Sequence, residues 1–116
     1  MELRDRKALV TGASGGLGAA IARELARVGA RVILLARRRQ ELERVAAGLG
    51  DRALAVHSAD LTDADAVARV ASRIAADYGT PDLIVNNAGS GQWKFLDETS
   101  PEEAVRMMAM PFFAAL

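Results

Sequence analysis

Short apolar runs and longer amphipathic segments alternate along this chain. The runs are Ala8–Thr11, Val32–Leu35, Ala53–Val56 and Leu83–Val85, each bounded by glycine, proline or polar residues. Successive rather than alternate positions in them are apolar, which predicts strands covered on both faces, as in a parallel sheet. Between them the spacing turns helical. One segment runs from about Leu17 to Val28 and stops at Gly29; a second runs from about Gln40 to Leu49 and stops at Gly50. Glycine just past a helix end accepts the left-handed backbone that closes it. A third segment opens at Thr62, with Asp65 three residues on, an N-capping pattern, and continues through Val67, Val70, Ala71 and Ile74 to Tyr78-Gly79. A fourth opens at Ser100-Pro101-Glu102-Glu103, which supplies an N-cap, a proline at the first helical position and acids in the first turn.

The predicted order is β-α-β-α-β-α-β-α. With right-handed crossovers it gives an α/β fold, a doubly wound parallel sheet between two helical layers. No repeat or linker interrupts it, so residues 1–116 read as one domain. The segment ending on Phe112, Phe113 and Leu116 has no stop signal and reads as a helix cut short.

Composition narrows the chemistry. The 116 residues hold no cysteine and one histidine, His57, which argues against disulfides, thiol nucleophiles, zinc clusters and a Ser-His-Asp triad. No metal site is expected. Formal charge is zero, so nothing global favours nucleic acid or an anionic membrane. The charged start lacks an apolar signal core and no stretch is long enough to span a bilayer, making cytoplasm the default expectation.

The first strand runs into Thr11-Gly12-Ala13-Ser14-Gly15-Gly16-Leu17-Gly18, which opens the first helix. A pyrophosphate binds the backbone N–H groups at a helix N-terminus, where the dipole is positive and side chains must stay out of the way. Gly12 and Gly16 leave that space, Gly18 lets the helix pack closely on the sheet, and Ser14 offers a hydroxyl to phosphate. Leu17 is expected to point into the core behind the loop. A tight turn between strand and helix is the plainer alternative. A nucleoside-triphosphate loop is disfavoured because no lysine closes the motif.

After the second strand comes Ala36-Arg37-Arg38-Arg39. A domain built for NAD carries an acid here for the ribose 2′-hydroxyl. Arginines instead suit a 2′-phosphate, so Arg37 and Arg38 point to NADP(H), with NAD(H) the second choice. The alternative is a solvated charge run, although cations at a helix start oppose its dipole. Asp60-Leu61 follows the third strand, with Asp60 open to a turn or cap role. Asn86-Asn87-Ala88-Gly89 follows the fourth strand, at the sheet edge where ligands bind in open α/β folds, and could equally form an Asx turn.

Together these motifs resemble the short-chain dehydrogenase/reductase family over essentially the whole chain, but only over the first half of the family's domain. The resemblance implies a partial Rossmann-type, three-layer αβα domain that binds a nicotinamide dinucleotide. It implies that Gly12, Ser14, Gly15 and Leu17 lie along the cofactor phosphates, Arg37 at the 2′-phosphate and Asp60-Leu61 at the adenine. It puts Asn87, Ala88 and Gly89 near the adenosine ribose and the centre of the groove. A full-length parent would be a homo-oligomer moving hydride between NADP(H) and a carbonyl or alcohol.

Two features depart from the family pattern. Its catalytic Tyr-x-x-x-Lys and preceding Ser are absent: the sole tyrosine is Tyr78, followed four residues on by Asp82, and neither Lys7 nor Lys94 has a tyrosine partner. Pro111 falls where the family often has a catalytic asparagine, and predicts a kink. No catalytic residue is therefore assigned within the chain. The alternatives are a non-catalytic dinucleotide-binding module and an inactive truncated product. His57 reads as a partly buried structural residue. Met107, Met108, Met110, Phe112 and Phe113 read as core or subunit contact. Trp93 and Phe95 read as a loop anchor or a pocket rim.

Overall fold

The computed structural model describes residues 2–87. In order they form β1 (Lys7–Thr11), α1 (Gly16–Arg27), β2 (Arg31–Ala36), α2 (Arg39–Leu49), a single 3-10 turn (Gly50–Arg52), β3 (Ala53–Ser58), α3 (Ala64–Tyr78) and β4 (Leu83–Val85). The strands make one sheet in the order β3-β2-β1-β4, and every pairing is parallel. The expected fourth helix, Pro111, Trp93, Phe95 and Lys94, and the Met107–Phe113 cluster lie outside the described residues.

Alternation along the strands sorts side chains to two faces. Ala8 and Val10 of β1, Val32, Leu34 and Ala36 of β2, and Leu83 and Val85 of β4 share one core with α1 and α2. Those helices contribute buried stripes at helical spacing: Gly18, Ala19, Ala22 and Leu25 from α1, and Leu42, Val45 and Leu49 from α2. Leu9, Leu35 and Ile84 fall on the opposite face, beside Val67, Val70 and Ile74 of α3. The described chain is thus a three-layer αβα sandwich, as expected.

Three expectations about these elements need correction. The strands are not uniformly covered: β2 is buried from Val32 to Ala36, β3 is only half-buried, and Ile84 of β4 is 55% exposed. A cavity of about 150 Å³ lies against Ile84, Leu9, Leu35 and Ile74 on the α3 side. The third helix starts later than Thr62. Asp63 is its N-cap, its carboxylate accepting from the N–H of Asp65 at 3.0 Å and of Ala66 at 3.3 Å. Thr62 is otherwise engaged, donating its hydroxyl to Asp60 Oδ1 at 2.7 Å and its N–H at 3.0 Å. Leu17 does not enter the core. It is 68% exposed, because the buried stripe of α1 runs through residues 18, 22 and 25 and leaves position 17 outside it.

The amino ends of the strands are tied by polar side chains. Asp82 accepts the Lys7 N–H at 2.9 Å, and the Lys7 ammonium donates to the Tyr78 carbonyl at 2.6 Å. Arg52 bridges Asp5 Oδ1 at 2.8 Å and the Gly29 carbonyl at 3.0 Å, and its guanidinium holds the Asp5 carboxyl below the usual carboxylate range. No helix of the described residues is long and apolar enough to cross a membrane.

Candidate functional site

Every parallel strand delivers its next residues to the same edge of the sheet. The segments 12–16, 37–38, 59–63 and 86–87 therefore meet at the carboxyl end, although they are far apart in sequence. Most of the motifs singled out in the sequence lie there.

The glycine loop is shaped by two left-handed turns. Gly12 has φ +64° and Gly16 has φ +58°, a region that side-chain-bearing residues rarely adopt. A methyl built on Gly15 or Gly16 would find nothing within 4 Å, so both border open space. Gly15 is the N-cap of α1, no side chain caps the helix, and its first turn contains no acid. The first N–H groups of a helix have no partner within it. Here they face a space kept free of side chains, next to the positive end of the helix dipole, and an anion fits both features. Ser14 is half-buried beside them.

Gly18 permits a close approach of α1 to the carboxyl end of the sheet. A methyl there would stand 2.0 Å from the Gly12 carbonyl oxygen and 2.7 Å from Asn87 Nδ2. Its nearest neighbours are the backbone just past β1 and the side chain just past β4. Asn87 donates from Nδ2 to the same Gly12 carbonyl at 3.4 Å, and its backbone N–H donates to Thr11 Oγ1 at 3.0 Å. Thr11 Oγ1 in turn donates to the Val85 carbonyl at 3.3 Å. The buried Thr11 hydroxyl thus clamps the ends of β1 and β4 together and sets the floor of the loop.

Arg37 and Arg38 follow β2 and are both exposed, with Arg38 serving as the N-cap of α2. Neither enters an ion pair among the described residues. The Arg37 carbonyl is pinned by the Ser58 hydroxyl at 2.7 Å, which fixes the backbone beneath the free guanidinium. Asp60 forms an Asx turn with Thr62. The Thr62 hydroxyl and N–H hold its carboxyl below the usual carboxylate range, and the positive charge of Arg37 adds to that effect. Leu61 is buried next to Leu35. Ala88 and Gly89 lie outside the described residues.

The profile of the short chain dehydrogenase family matches residues 6–116. The chain belongs to the short-chain dehydrogenase/reductase family. It is 50% identical over 88 residues to nodulation protein G of Rhizobium sp. strain N33, a match covering 76% of this chain and 36% of that protein. Among solved structures, L-sorbose reductase from Gluconobacter frateurii, complexed with NADPH and L-sorbose, has a TM-score of 0.84 at 28% identity. That match covers 99% of this chain and 46% of that one. The 3-ketoacyl-(acyl-carrier-protein) reductase from Brucella melitensis, complexed with NADH, has a TM-score of 0.83 at 34% identity, over 97% of this chain and 47% of that one. The chain therefore spans less than half the length of these relatives. Its described part is the Rossmann-like portion of the fold.

The structure also places the residues that could imitate the family's tyrosine–lysine pair. The Tyr78 hydroxyl donates to the Leu54 carbonyl at 3.4 Å, while Lys7 holds the Tyr78 main-chain carbonyl. Lys7 begins β1, at the opposite end of the sheet from the glycine loop. His57 is half-buried in β3 away from the loop, as a structural reading of it expects, and its Nε2 is buried without a hydrogen-bond partner. Among the described residues no cluster of histidine and acidic side chains could hold a metal. Thr11 opens the glycine motif, but the sequence assigns its hydroxyl no role. Only the arrival of β4 beside β1, more than 70 residues on, gives its hydroxyl a role.

Proposed function

We propose that the carboxyl edge of this sheet binds the adenosine and pyrophosphate portion of a nicotinamide dinucleotide, with NADP(H) preferred over NAD(H). The observation that carries this reading is the pair of exposed, unpaired arginines at the end of β2, with no acid there, beside an uncapped helix start fronted by glycines. The empty space over Gly15 and Gly16 fits a pyrophosphate. Gly12, Ser14, Gly15, Gly16 and Leu17 line its path, and Gly18 lets the loop close on Asn87. Arg37 and Arg38 take the 2′-phosphate, Asp60 and Leu61 flank the adenine, and Asn87, with Ala88 and Gly89, borders the ribose.

When bound, the nicotinamide ring gives or takes a hydride. The protein's part at this edge is to hold the phosphates by backbone N–H groups and to choose between cofactors by charge. A whole protein of the relatives' length would be a homo-oligomeric oxidoreductase acting on a carbonyl or alcohol. The 116-residue chain alone binds cofactor without turnover. Reduction leaves an alkoxide-like oxygen that needs a positioned acid, a contribution of about 10²–10⁴-fold, and Tyr78 and Lys7 are engaged elsewhere.

Calorimetric titration with NADPH and NADH tests the preference. A charge-assisted contact of about 1.5–3 kcal/mol corresponds to about 10- to 150-fold tighter NADPH binding, and Arg37→Ala should remove most of it while leaving NADH unaffected. Equal affinities, or tighter NADH, refute it. NADPH oxidation by the chain across a panel of carbonyl compounds should stay at background.

A further inference from the structure

The outer edge of β3 is a second polar region, separate from the glycine loop. Among the described residues β3 pairs only with β2, so its other side faces a hollow of about 440 Å³ between the start of α2 and the length of α3. Arg39 enters that hollow from α2, His57 from β3, and Arg69, Arg73, Asp77 and Tyr78 from α3. Three arginines thus share the hollow with one acid.

Ion pairs within the helices engage two of these arginines only in part. Arg39 contacts Glu43 at 3.2 Å and Arg73 contacts Asp77 at 3.2 Å, each through Nε only. Arg69 has no ion-pair partner among the described residues. Arg69 and Arg73 are four apart on one helix, where like charges repel. Arginines from two helices line one concave surface, and guanidinium groups are donors suited to a tetrahedral oxyanion.

We infer that this hollow at the β3 edge is a second anion site, distinct from the dinucleotide edge, that takes a phosphate group, either free or on a small ester. Arg69 and Arg73 are its principal donors and Arg39 completes it from the other side. His57 reports on the site without binding the anion, since its Nε2 is buried. Burial and then the fields of Arg39 and Arg73 lower the His57 pKa, Asp77 opposing them. An anion seated among the arginines offsets those fields and moves the pKa back up.

His57 is the only histidine in the chain, so its ring proton resonance needs no assignment. The experiment follows that resonance against pH in the 116-residue chain, with inorganic phosphate, with glycerol phosphate, and with chloride at matched ionic strength. The expected result is a saturable response to phosphate, with an upward shift of the His57 pKa that chloride does not reproduce. The paired change Arg69→Gln and Arg73→Gln should weaken the response by about tenfold or more, and Arg37→Ala should leave it intact. An equal response to both probes assigns the phosphate group itself; a stronger response to glycerol phosphate assigns the small ester. Three results overturn the site: no saturable response, an unchanged response in the paired variant, or loss of the response in Arg37→Ala, which would place the phosphate at the dinucleotide edge instead.

Discussion

The two ends of this parallel sheet use polar residues in opposite ways. At the amino end the side chains that tie the strands together close on the protein itself: Asp82 with the Lys7 N–H, Lys7 with the Tyr78 carbonyl, Arg52 with Asp5 and Gly29. At the carboxyl end Arg37 and Arg38 have no ion pair, α1 starts without a side-chain cap, and Gly15 and Gly16 front open space. Both ends are glycine-containing and charged, so composition does not separate them. What separates them is satisfaction. Groups that close their own hydrogen bonds build the fold, whereas groups held in place but left open are arranged for something that arrives from outside.

Glycine substitutions offer the largest contrast. Gly18→Ala places a methyl 2.0 Å from a backbone carbonyl, so the loop and α1 must separate. Overpacking of this kind costs about 1–3 kcal/mol or more, seen as a lowered urea midpoint, and dinucleotide affinity falls with it. Gly15→Ala meets no atom and sits at an extended φ, so the urea midpoint should hold while dinucleotide binding weakens. If both variants lose stability equally, the open space over Gly15 is misplaced.

Deleting one polar group at each end is the intermediate test. Thr11→Val leaves the Asn87 N–H and the Val85 carbonyl without their hydroxyl partner, and should cost about 1–3 kcal/mol together with weaker binding. Asp82→Ala removes the acceptor of the Lys7 N–H at the exposed amino end. It should cost about 0.5–1.5 kcal/mol with dinucleotide affinity unchanged. Denaturation and calorimetry on the same samples separate the two outcomes, and a binding defect in Asp82→Ala would break the comparison.

The smallest effect concerns pH. Burial lowers the His57 pKa below the ordinary imidazole value. The unfolded chain therefore binds a proton before the folded chain does, so stability is full above about pH 6.5 and declines as pH falls towards the lowered folded value. His57→Gln should flatten that part of the stability–pH curve. An unchanged slope would assign it to other groups.

Much of this arrangement was legible in the chain. Leu42, Val45 and Leu49 announce one face of α2 by spacing alone, and Gly29 and Gly50 mark where helices stop. The parallel sheet follows from the alternation of strands and helices, and parallel strands bring the motif residues to one edge. What escaped depended on partners distant in sequence or on competition between neighbours. Thr62 and Asp63 are both good caps, and only the turn that Asp60 makes with Thr62 leaves the cap to Asp63. Leu17 is apolar, but its angle around α1 is set by the packing of Gly18 and Ala22. Arg39, Arg69 and Arg73 look like ordinary surface charge until β3 is seen to end the described sheet, and the hollow beside it exists only in three dimensions.

The most direct test of the contrast between the two ends is a backbone amide map of the isotope-labelled 116-residue chain during titration with NADPH. The predicted result is a saturable set of shifts concentrated at Gly12, Ser14, Gly15, Gly16, Arg37 and Asn87, with Asp5, Lys7, Tyr78 and Asp82 unmoved. Shifts of equal size at both ends, or no saturable shifts at the glycine loop, would contradict it.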